Sequence, residues 1–316
     1  MTRGDRSGGL DGVLVVAKPT GPTSHDVVGL VRRLSQTRRV GHGGTLDPFA
    51  AGVLPVFLGR ATRLVEYHLG ATKRYRATIC FGETSTTDDI DGERTPVDGP
   101  PVTREAVEAG LAALTGPIRQ VPPVYSAVQI EGRRAYQLAR AGQPVELAPR
   151  DVTIHELTLL EWDGTDPSRP VAVTEVVCSA GTYVRALARD LGTSLGSGAY
   201  LGALVRTASG LFRLEDAVSF EDLRDGAAGG AEGFASLLKP IDAGLEHLPH
   251  APITTDELRR LFEGLPTGPK TPLDVRDAPV VLAVGPDGTV VAICRAVNGT
   301  LHPHKVLADR PAPVEA

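Results

Sequence analysis

Cysteine is scarce in this 316-residue chain, with three residues at positions 80, 178 and 294. An odd count, widely spaced and without a C-x-x-C pair, argues against both a disulfide framework and a zinc site. Cys80, Cys178 and Cys294 are therefore expected to be buried, reduced thiols. Aromatic residues make up only 4% of the sequence, with a single Trp. No apolar run approaches the roughly eighteen residues that a membrane-spanning helix needs. The first nine residues lack the apolar core of a signal peptide, so a cytoplasmic protein is expected. No glycine pattern matches G-x-G-x-x-G or the P-loop, and no nucleotide cofactor is expected. The acidic run Asp88-Asp89-Ile90-Asp91-Gly92 lacks the spacing and terminal Glu of a calcium loop. It reads as part of a solvated, turn-rich loop from Glu83 to Pro101. His302 and His304 have no third ligand at a sensible spacing, so no metal is expected either.

The composition, 41% hydrophobic and 22% charged, is that of an ordinary globular protein, and the length suits about two domains. The net charge of −5 conceals a split. Residues 1–150 carry 19 Lys and Arg against 15 Asp and Glu, whereas residues 151–316 carry 14 against 23. A polyanion responds to a local basic face rather than to the net charge, so an RNA or DNA partner is permitted.

Residues 1–10 and 311–316 read as disordered tails. The β-branched run at 12–17 predicts a strand, ended by Lys18-Pro19 and a turn through Gly21 and Pro22. Ser24 reads as the cap of a helix whose apolar stripe is Val27, Val28, Val31 and Leu34. A glycine-rich loop with a basic approach follows, Arg38 to Pro48. Strands are expected at 52–58, 73–81, 152–161 and 171–178, and helices at 61–69, 103–114 and after Arg185. Gly226–Gly233 reads as a flexible linker. A helix near 255–262 and a hairpin turning at Asp287-Gly288 suggest a small β-rich unit at the end of the chain.

Asp47 is the first chemical candidate: a lone carboxylate in a glycine-rich loop, held on stiff backbone before Pro48. Taken alone, it fits either a turn cap or a catalytic group that a large substrate approaches closely. Tyr183 and Arg185, two apart on what reads as an extended segment, would project from one face. A ring and a guanidinium side by side suit a base and a carboxylate, or merely a surface edge. Tyr75, between Arg74 and Arg76, is either a stacking platform for a base or a core residue with solvent-facing neighbours.

Taken together, four stretches resemble one family: Lys18 to Ser24, Arg39 to Pro48, Lys73-Arg74-Tyr75, and Cys178 to Arg185. They are similar to the motifs of the TruB family of bacterial tRNA pseudouridine-55 synthases. Further matches lie at Gly82–Gly92, Val121-Pro122-Pro123 and Asp190-Leu191-Gly192. The resemblance covers about residues 11–215; Val205 departs from a Leu-Arg-Arg run usual in the family, which Leu204 and Arg206 still fit.

The resemblance implies an α+β catalytic domain over 11–240, with a central, mainly antiparallel sheet flanked by helices. It further implies an RNA-gripping insertion at 119–150 and a small PUA-like RNA-binding domain at 245–310. The implied substrate is tRNA, met at its T-arm by a monomer without cofactor, metal or membrane. Asp47 would be the catalytic residue. His42, Tyr75, Tyr183, Arg185 and Leu204 would bind the substrate, with Arg185 pairing with Asp47. Lys18 and Pro19 would support the loop, and Arg133, Arg134, Arg140 and Arg150 would hold RNA. Two other classes share part of this pattern. A non-catalytic RNA-binding protein would not need Asp47, and a carboxylate phosphotransferase would need a second acidic residue close by.

Overall fold

The computed structural model describes residues 9–126, 128–130, 132–268 and 278–309. Most of both expected tails, and the side chain of Arg140, lie outside the described residues. The chain opens with β1 (Gly12–Lys18), whose unbroken apolar run is explained by burial on both faces. Helix α1 (Ser24–Ser35) follows, capped by Thr23 in a reciprocal capping box with Asp26. Thr23 rather than Ser24 is therefore the cap, which leaves the Ser24 hydroxyl free for another task. Then come β2 (Val40–His42) and β3 (Ala51–Leu58), a 3-10 turn at Gly59–Leu64 running into α2 (Val65–Leu69), and β4 (Lys73–Phe81).

β5 (Glu83–Ser85) and β6 (Arg94–Pro96) form a small ribbon, and α3 (Arg104–Ala113) leads to β7 (Gly116–Gln120). The next segment holds a minimal hairpin, β8 (Gln129–Ile130) with β9 (Arg133–Arg134), and the short α4 (Ala135–Arg140). It returns to the sheet through β10 (Arg150–Asp163), β11 (Val171–Cys178), α5 (Val184–Ser194), β12 (Ala199–Ser209) and β13 (Phe212–Arg213). The expected linker at 226–233 is instead occupied by α6 (Phe220–Ala228) and α7 (Gly230–Ala235). A Ser219–Asp222 capping box starts α6, and Leu223 and Phe234 are buried against α1 and the sheet, which outweighs the glycine content.

The central sheet runs β1-β3-β12-β4-β11-β10-β7, with β2 on β3 and β13 on β12. All its pairings are antiparallel except β3 with β12, where Val205 faces Ala51 and Arg206 faces Gly52. The sheet is thus mainly antiparallel, as expected, with one parallel seam. Strict alternation along β4 buries Lys73, Tyr75, Ala77, Ile79 and Phe81 on one side. Tyr75, Ala77, Ile79 and Phe81 form the main core with α3 and α5, including Val107, Leu111, Leu187 and Leu191.

The terminal unit has four strands rather than two: β14 (His250–Pro252), β15 (Ala278–Val284), β16 (Val290–Val297) and β17 (Thr300–Val306), in that order. Helix α8 (Thr255–Phe262) covers them over its own core of Leu258, Leu261, Val281 and Leu301. Cys178 and Cys294 are buried and Cys80 is half-buried, all three as free thiols. No described helix is long and apolar enough to cross a membrane.

Candidate active site

Asp47 lies in the connection between β2 and β3, beside the parallel seam. Every residue from Gly43 to Pro48 is tied by its backbone to something else. The Gly43 amide donates to Pro55 O at 2.9 Å, and the Gly44 and Thr45 carbonyls accept from Arg206 at 3.1 and 3.3 Å. The Leu46 amide donates to Ser24 Oγ at 2.8 Å, while that hydroxyl donates back to Leu46 O at 3.0 Å. Asp47 O accepts from the Ala50 amide, and Pro48 O accepts from the Gly21 amide and Lys18 Nζ. Each bond is modest, about 1 kcal/mol net, but together they leave the carboxylate-bearing residue little freedom. The seam itself needs glycine: at Gly52, with φ +108°, a Cβ would fall 2.2 Å from Arg206 O.

The Asp47 side chain is 38% exposed. Its Oδ2 is 3.1 Å from Nε of Arg185, which is buried. The remaining guanidinium nitrogens donate to Asp89 Oδ2 at 3.1 Å, Thr87 O at 3.0 Å and Tyr125 O at 2.9 Å. Arg185 therefore contacts Asp47 at one point and divides its fork between two carboxylates. Burial raises the Asp47 carboxyl above the usual carboxylate range; Arg185 and Lys18 oppose this, while Asp89 and Asp91 add to it. Arg185 lies in the first turn of α5 with Tyr183 as its N-cap, so these residues do not share an extended segment. The Gln120 side chain anchors Tyr183 by both backbone groups, at 2.8 and 3.1 Å.

Tyr75 and Leu204, on neighbouring strands, are buried in the same cluster as Leu46. Burial raises the Tyr75 phenol, whose surroundings include Arg206, Cys178 and Asp47. Its neighbours Arg74 and Arg76 turn to the opposite face, where they pair with Glu175 and Glu161. His42, at the end of β2, accepts from the Gly44 amide through Nδ1 at 3.4 Å. Burial, with the Arg206 charge next in weight, holds its imidazole below its ordinary value, so it is neutral at pH 7. Lys18 is almost wholly buried and donates to Pro19 O and Pro22 O at 2.9 and 2.8 Å. Burial lowers its ammonium to about 8.

Arg133, Arg134 and Arg150 are exposed on the separate 119–150 segment. Arg133 donates to Gln143 Oε1 at 3.3 Å, and none of the three forms an ion pair among the described residues. Four further residues of the site lie within the family-like stretches, although no role beside the carboxylate was legible for them. Asp89 sits in the acidic run read as solvated, yet it is buried, held by Thr87 and the Asp91 amide as well as by Arg185. Asp88 is likewise docked, on Arg189 at 2.9 Å, so this part of the loop is fastened to α5. Ser24 and Arg206 clamp the Asp47 loop from helix and sheet. Among the described residues, no three His, Cys, Asp or Glu converge as metal ligands.

The chain that carries this arrangement matches a group of known proteins. Residues 32–184 match the TruB family pseudouridylate synthase N-terminal domain, and residues 185–246 match the tRNA pseudouridylate synthase B C-terminal domain. The tRNA pseudouridine synthase B of Thermobifida fusca is 44% identical over 304 residues, 94% of this chain and 99% of that protein. That of Symbiobacterium thermophilum is 49% identical over 257 residues, 81% of this chain and 83% of that protein. Among solved structures, a Cbf5-Nop10-Gar1 complex contains a chain with TM-score 0.72 and 27% identity, covering 95% of this chain and 86% of that one. With sequence, fold and domain order in agreement along most of its length, the chain belongs to the TruB family of pseudouridylate synthases.

Proposed function

We propose that this TruB-family enzyme isomerises uridine 55 in the T-arm of tRNA, as a monomer without cofactor, with Asp47 as its catalytic carboxylate. Isomerisation of tRNA uridine, the coarser part of this reading, follows from family membership. The finer part is carried by one observation: Asp47 is held on over-determined backbone, partly exposed, with Arg185 at 3.1 Å.

The chemistry asks for little more. The N1–C1′ bond breaks, the uracil turns, C5 joins C1′, C5 gives up its proton and N1 gains one; nothing is oxidised or hydrolysed. Asp47 suits any of three openings: attack at C1′, addition at C6, or removal of the C2′ proton. The uridine must first leave its stack, which costs a few kcal/mol. His42 fills the vacated space, and the uracil rests on Tyr75, with Leu204 and Tyr183 completing the pocket. Stacking on one ring contributes about 1–3 kcal/mol and offsets much of that cost. Arg185 aims Asp47, and Lys18 and Pro19 stiffen its loop. The catalytic unit extends over 11–240, and the 245–310 unit is a small PUA-like RNA-binding domain.

The test is incubation of the purified protein with tRNA tritiated at uridine C5, without added metal. Tritium release mapped to position 55 is the expected result. Binding without release would instead favour a non-catalytic RNA-binding protein.

The pH profile of the single-turnover rate supplies a second check. Asp47 must be ionised, and its raised carboxyl places the acid limb above the ordinary carboxylate range. Lys18 supports the loop as a cation, and its lowered ammonium places the alkaline limb near pH 8. Lys18→Arg, whose charge does not titrate there, is expected to remove the alkaline limb. An unaltered limb in that variant would assign it to another group, with Lys73, also lowered to about 8, as the first candidate.

The 119–150 segment is assigned to grip the RNA arm by its phosphates, through Arg133, Arg134, Arg140 and Arg150. Replacing Arg133 and Arg134 by Ala is expected to reduce the slope of log K against log salt by about 1–2, at roughly 0.7–0.9 per contact. Catalysis at saturating tRNA is expected to change far less. An unchanged slope would remove this segment from the RNA interface.

A further inference from the structure

We infer that Arg206 is a positioning residue for the reaction, one guanidinium fixing the loop that carries Asp47 to the neighbouring strand. The inference rests on the functional reading above and names a residue outside the proposed pocket. Arg206 is 1% exposed and is the largest fully buried side chain in the described structure. Its Nε donates to Val53 O at 2.7 Å, Nη1 to Thr45 O at 3.3 Å and Nη2 to Gly44 O at 3.1 Å. Its charge also lies near enough to the Tyr75 phenol to oppose the upward shift that burial causes. Among the described residues no carboxylate pairs with it.

That last feature separates positioning from packing. A buried cation without a counter-ion is costly, and an apolar side chain of similar volume would fill the same space more favourably. What an apolar residue cannot do is bind carbonyls on two segments at once. The three carbonyls belong to β3 and to the two residues that precede Leu46-Asp47. The peptide at Gly44, with φ +131°, has little preference of its own to hold that turn. Gly52 admits the Arg206 backbone at van der Waals contact, so the guanidinium reaches the loop from a fixed base. Strand alternation then explains the chemistry of the Leu204-Val205-Arg206 run. Leu204 and Arg206 turn into the site, while Val205 takes the opposite face, on the Ala51 side of the seam. Lysine, with one nitrogen, cannot span the same planar set of acceptors.

The test uses the full chain with Arg206→Lys. Three quantities are followed: single-turnover tritium release from C5-labelled tRNA, equilibrium tRNA binding, and amide hydrogen exchange without RNA. Arg206→Lys is expected to slow the single turnover by about 100-fold, the cost of a displacement near 1 Å. Binding is expected to stay within about threefold, because the lost interaction acts on the reacting group. Exchange should rise over residues 43–50 and stay unchanged in the far strands β10 and β11. The loosened loop also admits water to Asp47, so the acid limb of the rate should move to lower pH. Lys18, His42, Lys73 and Tyr75 are the other titratable groups that feel Arg206.

A wild-type rate in Arg206→Lys overturns the inference. So does equal loss of rate and binding with exchange raised throughout the chain, the signature of general destabilisation. If Arg206→Lys does not fold, Arg206→Gln keeps amide donors without the buried charge and is read in the same way. Failure of wild-type protein to release tritium would reject the functional reading. The exchange at 43–50 would still report whether Arg206 anchors the loop.

Discussion

Asp47→Asn is expected to abolish turnover, by at least a hundredfold, or about 2.7 kcal/mol of barrier, and in practice to background. The amide keeps the size and polarity of the carboxylate but serves neither as nucleophile nor as base. Affinity for tRNA is expected to stay within a few-fold, because RNA is held largely through its phosphates. Stability provides an independent readout with a definite sign. Burial raises the Asp47 carboxyl in the folded protein, so the ionised form costs stability at neutral pH. That cost is relieved as pH falls through the folded value. The neutral amide avoids it, so the melting temperature at pH 7 is expected to hold or rise. Asp89 remains as the counter-ion of Arg185. Residual activity above a hundredth of wild type would sink the assignment, and a sharp drop in melting temperature would make Asp47 a structural residue.

Arg185→Lys carries the second largest expected effect, and the geometry shows why the exchange is not conservative. The guanidinium serves four acceptors: Asp47, Asp89, Thr87 O and Tyr125 O. An ammonium has three hydrogens on one nitrogen and cannot reach acceptors spread around a fork. One of two crowded carboxylates then loses its partner. Breaking a buried pair typically costs about 3–5 kcal/mol. Because Arg185 opposes the upward shift of Asp47, its loss should raise that carboxyl further. Activity is therefore expected to fall about a hundredfold or more at pH 7, and less at higher pH, where Asp47 ionises again. The acid limb should move up. A pH-independent loss would show that Arg185 acts only through packing, and wild-type turnover would remove it from the site.

The opposite directions expected for the acid limb in Arg185→Lys and Arg206→Lys separate the two arginines. The first holds the charge of Asp47, so its loss favours the protonated acid. The second holds the loop, so its loss lets water reach and ionise the acid.

Local pattern was enough for most elements. The period-two alternation of Lys73 to Phe81, the stripe of α1 and the Asp287-Gly288 turn each specify an element within a few neighbours. The family motifs pointed to the same chemistry because they lie on the loop, the strand and the helix start that later meet. Where the sequence misled, a distant contact outweighed a local signal. The glycine-rich stretch at 226–233 became helical because Leu223 and Phe234 had a core to enter. The acidic run became structured because Arg185 and Arg189, about a hundred residues further on, neutralise Asp89 and Asp88. Tyr183 and Arg185 sit at a helix start, since Gln120 holds the Tyr183 backbone from another strand.

By itself, the sequence determined which residue types were available: one carboxylate in a glycine-rich loop, a tyrosine on an alternating strand, and a basic half for a polyanion. Only the tertiary structure decided their geometry. The parallel pairing of β3 with β12 brings Arg206 across to the Asp47 loop, and α5 delivers Arg185 to its carboxylate. Both depend on contacts between residues 138 to 162 positions apart, which no local periodicity encodes. A buried guanidinium that binds carbonyls also looks like any surface arginine until the strands are paired.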